Sequence, residues 1–551
     1  MKKQGFLYGS AILIVSAVIV KVIGALFRIP LANMLGGTGM GYFSAAYSIF
    51  MPVYAISATG LPAAAARAVS SAAARGREDE VFEVRRTALS LFGLVGLSGT
   101  FVIVIGAYPL CKAVSGDIAA VPAVIAIAPS VLAGCLVSVY RGCAEGRRDM
   151  YPTAVSQVIE GAAKLILGLS LCYGCLYIAK TSPLLFMRLT GCNNADDGAL
   201  PYSAAAAVLG ITLSSFTGLF YMMLRERREK GGRKSDRLSS KERAAISREL
   251  LRTAIPASIG ALVINLTSLI DLVTVMQSLK VLAAKSPQVF STLLAGGVSA
   301  ADIPNFVYGS FTGLAVTVFN LVPSVTNMFG KSMLPAAAAA KASGNRKRLG
   351  ECAGGAVLAS ALVSIPAGIG IAVLAEPVLK FLFSSRELEI SVCSEAMRVL
   401  GTAVPFVCIS SAAFAVLQAA DKADIPVKLM AVGAVIKLIG NIVLTSVPAL
   451  GVTGAAISTL VCYIFICIAS LVMLKKYANF DIQGFGKVFL KIFSCGMLCG
   501  AGAFLVYNKL SNYGSNVVST LSACLFGGII YILSTYFTGI ITKSTLKMLI
   551  S

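Results

Sequence analysis

The chain alternates apolar runs with short polar segments from end to end. The runs are about 20 residues long, the length that an α-helix needs to cross the roughly 30 Å hydrocarbon core of a bilayer. They predict an all-α polytopic membrane protein with about 14 transmembrane helices. The predicted spans lie near residues 6–27, 40–60, 87–110, 121–140, 153–178, 202–224, 253–280, 304–328, 353–375, 398–419, 428–447, 453–474, 487–508 and 517–539.

An internal repeat organises these spans. The hexapeptide Leu-Pro-Ala-Ala-Ala-Ala occurs at 61–66 and again at 334–339, 273 residues later, and each copy ends an apolar run and begins a basic one. Lys164 and Lys437, inside spans 5 and 11, are separated by the same 273 residues. Membrane carriers are commonly built from such repeats. We therefore expect two pseudo-symmetric six-helix lobes, followed by two extra C-terminal helices.

The basic residues predict the domain boundaries and the orientation. The segment 225–252 carries eleven Lys and Arg residues, and we interpret it as a cytoplasmic linker between an N-lobe (1–224) and a C-lobe (253–474), with spans 13 and 14 and a tail at 475–551. Most Lys and Arg residues follow even-numbered spans, and basic loops resist translocation, so both termini are predicted to be cytoplasmic. The net charge of +22 then reflects orientation and contact with anionic lipid headgroups, and no nucleic-acid partner is expected.

Composition excludes a soluble product. Hydrophobic residues make up 57% of the chain and charged residues 13%, against roughly 45–50% and 25% in soluble domains. The first span, 6–27, contains Lys21 and is longer than the roughly 7–15-residue core of a signal peptide. We expect it to be retained in a multi-pass protein of the cell membrane.

The cofactor signals are weak. Most of the fourteen cysteines lie within or beside spans and are interpreted as packing residues. Cys172 and Cys175 form a CxxC pair, but the chain contains no histidine to complete a zinc site. Gly330-Lys331-Ser332 resembles the end of a phosphate-binding loop, yet Val325 stands where the leading glycine belongs. No cofactor, metal or ATPase activity is predicted, and any ion coupling must use carboxylates or lysines.

Charges within spans are the informative residues, because an ionised side chain at mid-bilayer costs at least about 2.5–3.5 kcal/mol unless it meets a cavity or a partner. Lys21 and Arg28 lie two turns apart on one face of span 1, which has no acidic residue, so a role in a cavity is favoured. Glu160 and Lys164 are four residues apart in span 5. An ion pair between these two is the favoured interpretation, and a coupling role for Glu160 is the alternative.

The cations together predict an anionic ligand. A cavity with Lys21, Arg28, Lys164 and Lys437 should attract the charged head of an amphiphile whose lipid tail stays in the bilayer. Flipping two negative charges outward would be driven by about 2.3 kcal/mol per charge per 100 mV of inside-negative potential. Asp271 in span 7 either pairs with Lys437 or forms a coupling site for sodium or protons, and the sequence leaves both interpretations open.

Several segments resemble a known family. They are Lys21-Val-Ile-Gly-Ala-Leu-Phe-Arg28-Ile-Pro30, Leu35-Gly36, Gly41-Tyr-Phe, Gly60-Leu-Pro62, Pro335 and Gly451-Val-Thr-Gly-Ala-Ala456. These residues resemble the stage V sporulation protein B and polysaccharide-flippase branch of the multidrug/oligosaccharidyl-lipid/polysaccharide (MOP) exporter superfamily, and more distantly the MurJ-type lipid II flippases. The resemblance covers nearly the whole chain and implies fourteen spans, with two six-span lobes that form a V-shaped cavity.

The resemblance also implies roles for single residues. Lys21 and Arg28 correspond to the two arginines of span 1 that contact the lipid pyrophosphate in MurJ-type proteins, whereas the further arginines of spans 2 and 8 have no counterpart here. Asp271 corresponds to the span 7 carboxylate near a sodium ion, with Lys437 and Asn441 on span 11. We hypothesise that the Lys437 ammonium takes the place of that sodium.

The predicted function is to flip a polyprenyl-pyrophosphate-linked sugar, either lipid II or a related wall, spore-cortex or polysaccharide precursor. We expect a monomer that is not an enzyme and contacts only membrane lipids and its substrate. One alternative is a drug or cation antiporter of the same superfamily, although these usually have twelve spans and acidic cavities. The other is a membrane glycosyltransferase or polymerase, for which the outer loops 179–201 and 281–303 offer only Asp196, Asp197 and Asp302.

Overall fold

The computed structural model describes residues 6–76, 78–192, 194–229, 240–512 and 514–540. Those residues form α-helices and contain no β-strand. In chain order the helices are α1 (Phe6–Tyr54), α2 (Leu61–Ala74), α3 (Glu78–Leu110), α4 (Val121–Ile127), α5 (Pro129–Gly146), α6 (Tyr151–Thr181), α7 (Pro183–Thr190), α8 (Ala195–Glu229), α9 (Ser240–Lys285), α10 (Ser291–Ala295), α11 (Ile303–Ser310), α12 (Val316–Ala342), α13 (Arg346–Val373), α14 (Ala375–Leu382), α15 (Glu387–Ala419), α16 (Asp424–Thr445), α17 (Val452–Ala478), α18 (Ile482–Leu510) and α19 (Asn516–Phe537).

Thirteen helical stretches in the described residues are long and apolar enough to cross a membrane. The first, Ile12–Ala74, has 63 residues and covers most of predicted span 1 and all of predicted span 2. At about 1.5 Å per residue it is roughly 95 Å long, about three times the thickness of a bilayer core. The predicted all-α membrane fold is therefore confirmed, and the predicted count of about fourteen agrees with thirteen stretches whose first member holds two spans.

The break within this long stretch lies at Gly36. Its backbone has φ 63° and ψ −170°, a conformation outside the helical region, while the residues on both sides are helical. Glycine adopts positive φ at little cost because it lacks a Cβ atom. The segment between spans 1 and 2 is thus a kinked helix, and not the extended loop that a gap between two apolar runs suggests.

The chain divides into two compact units, unit 1 (Met1–Val273) and unit 2 (Thr274–Ser551). Their boundary falls inside α9. Within the predicted linker, residues 230–239 lie outside the described part of the chain, and the others end α8 and begin α9. The division into four predicted segments remains a prediction.

The internal repeat is visible in two matching turns. Arg148, after α5, has φ 61°, and Asp421, after α15, has φ 60°. These positions are 273 residues apart, as are the first residues of the helices that follow, Tyr151 of α6 and Asp424 of α16. Non-glycine residues rarely adopt positive φ, so the shared turn is a structural mark of duplication.

The two hexapeptides differ in local structure. Residues 61–66 begin α2, one residue after a π-helical turn at Ala55–Thr59, whereas residues 334–339 lie inside the continuous helix α12. Both copies are helical, as alanine favours. The repeated sequence therefore marks equivalent places in the chain without imposing one local geometry.

Within unit 2, small residues allow helices to pack closely. α15 contributes Ala412, Ala413 and Val416 to a buried core together with Ala353 and Ala356 of α13. Association of helices in a bilayer relies on such close van der Waals packing, because lipid tails are as apolar as the helix surfaces.

Within unit 1, α6 and α8 cross at a pair of glycines. A Cβ atom added at Gly210 of α8 would overlap the backbone of Gly168 in α6. Elsewhere on α6, a Cβ atom at Gly174 would have no atom within 4 Å. The Gly168–Gly210 crossing therefore sets the separation of these two helices.

We predict that Gly210→Ala lowers the unfolding temperature of the purified protein, because overpacking a helix contact costs about 1–3 kcal/mol. Gly174→Ala is the matched control and should leave the temperature unchanged or slightly raised, since alanine is the better helix former. Thermal unfolding in detergent measures both. Equal behaviour of the two variants would contradict the close crossing.

Candidate functional site

Polar side chains follow one face of α6 in unit 1. Ser156, Glu160 and Lys164 are spaced by four residues, which places them above one another on that helix. Their hydrogen bonds reach three neighbouring helices, α1, α5 and α8. α6 therefore carries the central polar line of this unit.

The carboxylate of Glu160 is bound by Arg141 of α5. Arg141 Nη2 lies 2.8 Å from Glu160 Oε2, and its Nε donates a 2.8 Å hydrogen bond to Ser156 Oγ. Ser215 of α8 donates to Glu160 Oε1 at 3.2 Å. The favoured prediction paired Glu160 with Lys164 and is wrong in its partner, because a guanidinium from α5 meets this carboxylate.

The ammonium group of Lys164 is held by aromatic residues of α1. Its Nζ donates to Tyr47 Oη at 3.2 Å and lies 5.0 Å from the centre of the Phe27 ring and 5.6 Å from that of Tyr47. A cation over an aromatic face gains about 0.5–2 kcal/mol, the upper end applying where water is excluded. The hydroxyl and rings of α1 therefore orient the Lys164 side chain, which has no carboxylate partner at hydrogen-bond distance in the described residues.

The rings that receive Lys164 belong to an aromatic ladder along α1. Phe27, Phe43, Tyr47, Phe50 and Tyr54 follow one another with centroid separations of 6.3, 5.2, 6.1 and 5.1 Å. Such separations are typical of favourable ring pairs, worth about 0.5–1.5 kcal/mol each beyond their burial. The ladder crosses the kink at Gly36 and connects the two halves of α1.

The predicted cations Lys21 and Arg28 both lie on α1. Lys21 is exposed and Arg28 is half-buried. Seven residues correspond to about 10.5 Å along a helix, so the two occupy one face two turns apart, as predicted. Arg28 directly follows Phe27, the ring that Lys164 contacts, so Arg28 and Lys164 lie at one level on adjacent helices.

The remaining predicted site residues lie on α9 and α16. Lys437 is only 8% exposed and Asn441 is fully buried, one turn later on α16. Asn441 Nδ2 donates a 2.9 Å hydrogen bond to Thr274 Oγ1 of α9, and Ser458 Oγ donates to the Lys437 carbonyl at 3.0 Å. Asp271 lies one turn before Thr274 on α9. Of the four predicted headgroup cations, three therefore lie in unit 1 and Lys437 lies in unit 2.

Three residues that bind the predicted site residues were not predicted from the sequence: Arg141, Tyr47 and Thr274. Arg141 falls just beyond the apolar run that predicted span 4 at 121–140, yet α5 continues to Gly146. Tyr47 and Thr274 are uncharged and common in spans. No sequence signal identifies Glu160 as the partner of Arg141, because Glu145 and Asp149 are nearer along the chain.

The phosphate-loop-like segment and the CxxC pair do not form binding sites in the described residues. Gly330-Lys331-Ser332 lies inside α12, and not in a loop after a strand. Cys172 and Cys175 lie on α6 as free thiols, the first of them buried. Among the described residues, no three His, Cys, Asp or Glu side chains are grouped so that they could hold a metal ion.

Comparison with known families gives two matches. The family described as "Polysaccharide biosynthesis protein" matches residues 6–190. The family described as "Lipid II flippase MurJ" matches residues 182–524, well over half of the chain. The chain belongs to the MurJ family. The resemblance expected from the sequence is therefore confirmed.

Relatives of this MurJ-family chain cover almost its full length. Stage V sporulation protein B of Bacillus subtilis (strain 168) is 24% identical over 91% of this chain and 90% of the relative. Lipid II flippase MurJ of the same organism is 23% identical over 98% of this chain and 96% of the relative.

Solved structures share the fold. A lipid II flippase MurJ in an inward closed conformation has a TM-score of 0.68 at 15% identity, covering 95% of this chain and 98% of that one. An inward-facing multidrug resistance transporter of the MATE family and MOP superfamily has a TM-score of 0.61 at 13% identity, covering 84% and 98%. The MurJ-family chain therefore has a fold common to both branches of the MOP superfamily.

We predict that Arg141→Gln destabilises the protein by about 1–3 kcal/mol, because the partly buried Glu160 carboxylate loses its charged partner. Glu160→Gln in the same background should restore part of this loss, which a double-mutant cycle of unfolding temperatures detects. The exposed pair of Asp424 and Lys428, 2.8 Å apart, is the control, and Asp424→Asn should leave the unfolding temperature nearly unchanged. Additive effects of the Arg141 and Glu160 substitutions would refute a direct pair.

Proposed function

We propose that this protein is a flippase that moves a polyprenyl-pyrophosphate-linked sugar precursor from the inner to the outer leaflet by alternating access. Membership of the MurJ family and full-length similarity to a lipid II flippase and a sporulation protein support this class of substrate. The observation that carries the proposal is the position of two cations in unit 1: Arg28 and Lys164 lie at the same height on the adjacent helices α1 and α6.

The charges of unit 1 suit a pyrophosphate head. The carboxylate of Glu160 is already neutralised by Arg141, so it does not oppose an anion at Lys164. The Lys164 ammonium is oriented by Tyr47 and needs little reorganisation to donate to a phosphate oxygen. Arginine adds a planar fork that matches phosphate oxygens. The polyprenyl tail stays among lipid chains, which removes the need to carry an apolar surface through water.

Transport in this proposal involves no covalent step. The substrate is bound, reoriented and released unchanged, so the protein is a carrier and not a glycosyltransferase or polymerase. Both termini and the basic segment 225–252 are cytoplasmic, which the distribution of Lys and Arg favours. The inside-negative potential then drives the anionic head outward with about 2.3 kcal/mol per charge per 100 mV.

An organic-cation antiporter is the second candidate, supported by the fold shared with the MATE transporter. The TM-score to that structure, 0.61, is lower than the 0.68 found for the lipid II flippase. Cations at Lys21, Arg28 and Lys164 would repel a cationic drug. The anionic substrate is therefore the better fit.

Coupling in this proposal uses a tethered cation. Lys437 is 8% exposed and lies one turn from Asn441, which is hydrogen-bonded to Thr274 near Asp271 on α9. A buried ammonium is costly unless it is compensated, so we place Lys437 in the position that a coupling sodium ion would need. In this proposal neither Asp271 nor Glu160 binds a transported ion, and Glu160 stays paired with Arg141.

We predict that expression of the protein rescues cells depleted of their lipid II flippase, and that Lys21→Ala and Arg28→Ala each reduce rescue severely. Lys428→Ala removes an exposed lysine and serves as the control. Growth, with membrane insertion checked by immunoblot, is the measurement. Failure of well-inserted wild type would move the substrate to another polyprenyl-linked glycan, and rescue by both mutants would refute the cationic head site.

We further predict that flipping in reconstituted vesicles proceeds equally well when sodium is replaced by choline. Lys437→Ala should lower the rate at least about tenfold in either salt, because the fixed cation is lost and each 1.4 kcal/mol of lost stabilisation is a factor of ten. Steep dependence of the wild-type rate on sodium would contradict the tethered cation.

A further inference from the structure

A second cluster of charges lies at one end of the helices of unit 1. It surrounds a cavity of about 40 Å³ between the start of α3, the turn between α5 and α6, and the end of α8. The polar residues that line it are Arg85, Tyr140, Arg147, Asp149, Arg225 and Glu226. None of them belongs to the residues assigned above to substrate or coupling.

Two of the three arginines are already paired. Arg85 Nη2 lies 2.6 Å from Glu226 Oε1, with side chains 8% and 12% exposed. Arg225 Nη2 lies 3.0 Å from Asp149 Oδ2. These pairs join α3 to α8 and α8 to the α5–α6 turn, so the walls of the cavity are fixed by ion pairs.

The third arginine leaves an excess of positive charge. Arg147 is half-buried, lines the cavity and forms no ion pair with any residue that the structure describes. It is held by the turn that the internal repeat conserves, in which the next residue, Arg148, has φ 61°. Three arginines and two acids give the lining a net charge of +1.

The cavity is separate from the site around Lys164. Pro152, at its edge, precedes Lys164 by twelve residues on α6, which is about 18 Å along the helix. Arg85 lies just before predicted span 3, and Arg225 just after predicted span 6. The lining therefore sits where spans end, at the level of lipid headgroups.

We propose that this cavity binds a phosphate group. A volume of about 40 Å³ holds about three water molecules at 10–15 Å³ each, which is comparable with the oxygens of one phosphate. Arginine forks form two parallel hydrogen bonds to phosphate oxygens, and Arg147 has this capacity unused by any described ion-pair partner. The net charge of +1 matches a phosphodiester, which carries one negative charge, as in an anionic phospholipid headgroup. Free inorganic phosphate is the other source of the same chemistry.

A bound phosphate would connect three elements. Arg147 comes from the α5–α6 turn, and the paired Arg85 and Arg225 come from α3 and α8. The ligand would therefore stabilise the ends of these helices against one another, independently of substrate transport.

The test uses the full-length protein in phosphatidylcholine nanodiscs. We expect added phosphatidylglycerol to raise the unfolding temperature and to bind with a defined stoichiometry by native mass spectrometry. Arg147→Gln should weaken this binding about tenfold, the scale of one lost charge-assisted hydrogen bond. Arg148→Gln is the matched control, because its side chain is exposed and does not line the cavity, and it should bind like the wild type.

Further measurements distinguish a phospholipid headgroup from inorganic phosphate as the ligand and control for misfolding of the variant. Stabilisation by millimolar inorganic phosphate in pure phosphatidylcholine, lost in Arg147→Gln, would assign the site to free phosphate. Arg147→Lys keeps the positive charge but lacks the planar guanidinium. This variant should fold normally and bind the phosphate group with an affinity between those of the wild type and Arg147→Gln. No binding of either probe to the wild type would overturn the proposal, and so would equal loss in Arg147→Gln and Arg148→Gln.

Discussion

Inside a bilayer there is no water to solvate a charge, so each ionised side chain within a span must meet a partner or an aqueous cavity. This requirement organises unit 1 around α6. Glu160 is met by Arg141 from α5, and Lys164 is met by the rings of Phe27 and Tyr47 from α1. The helices α1 and α5 are thereby joined to the polar line of α6.

The ion pair of Glu160 and the aromatic contacts of Lys164 differ in the net charge that remains available to bind a ligand. A carboxylate and a guanidinium at 2.8 Å satisfy each other and contribute no net charge. An ammonium over aromatic faces keeps its full positive charge, since rings offer only a quadrupole. The neighbourhood of Lys164 and Arg28 therefore stays positive although it contains an acid one turn away. A site of this kind attracts an anionic head and rejects a cationic drug.

Most of the fold could be predicted from the sequence. Apolar runs of membrane-spanning length, the repeated hexapeptide and the distance between Lys164 and Lys437 were enough for the all-α architecture and the duplication, because a bilayer permits few alternatives to helices. The kink at Gly36 was missed, since hydropathy records length and polarity and carries no information on backbone dihedrals. The same limitation hid the difference between the two hexapeptides, one at a helix start and one within α12.

The site was only partly predictable. Charged residues in spans were recognisable individually, but their partners depend on how helices rotate against one another, which close contacts such as Gly168 with Gly210 determine. Spacing of four residues suggested that Glu160 and Lys164 pair, yet tertiary contacts from α5 and α1 proved stronger. Aromatic partners such as Tyr47 carry no distinctive sequence signal in a chain with 27 Phe and 18 Tyr residues.

The most direct measurement is translocation of a fluorescent polyprenyl-pyrophosphate-linked sugar in proteoliposomes containing the purified protein, followed by quenching of the probe in the outer leaflet. We expect translocation by the wild type, acceleration when the compartment from which the head departs is made negative, and loss of activity in Lys164→Gln with the protein still folded. A wild-type protein that leaves this lipid in place and instead exchanges organic cations for protons would contradict the proposed anionic substrate.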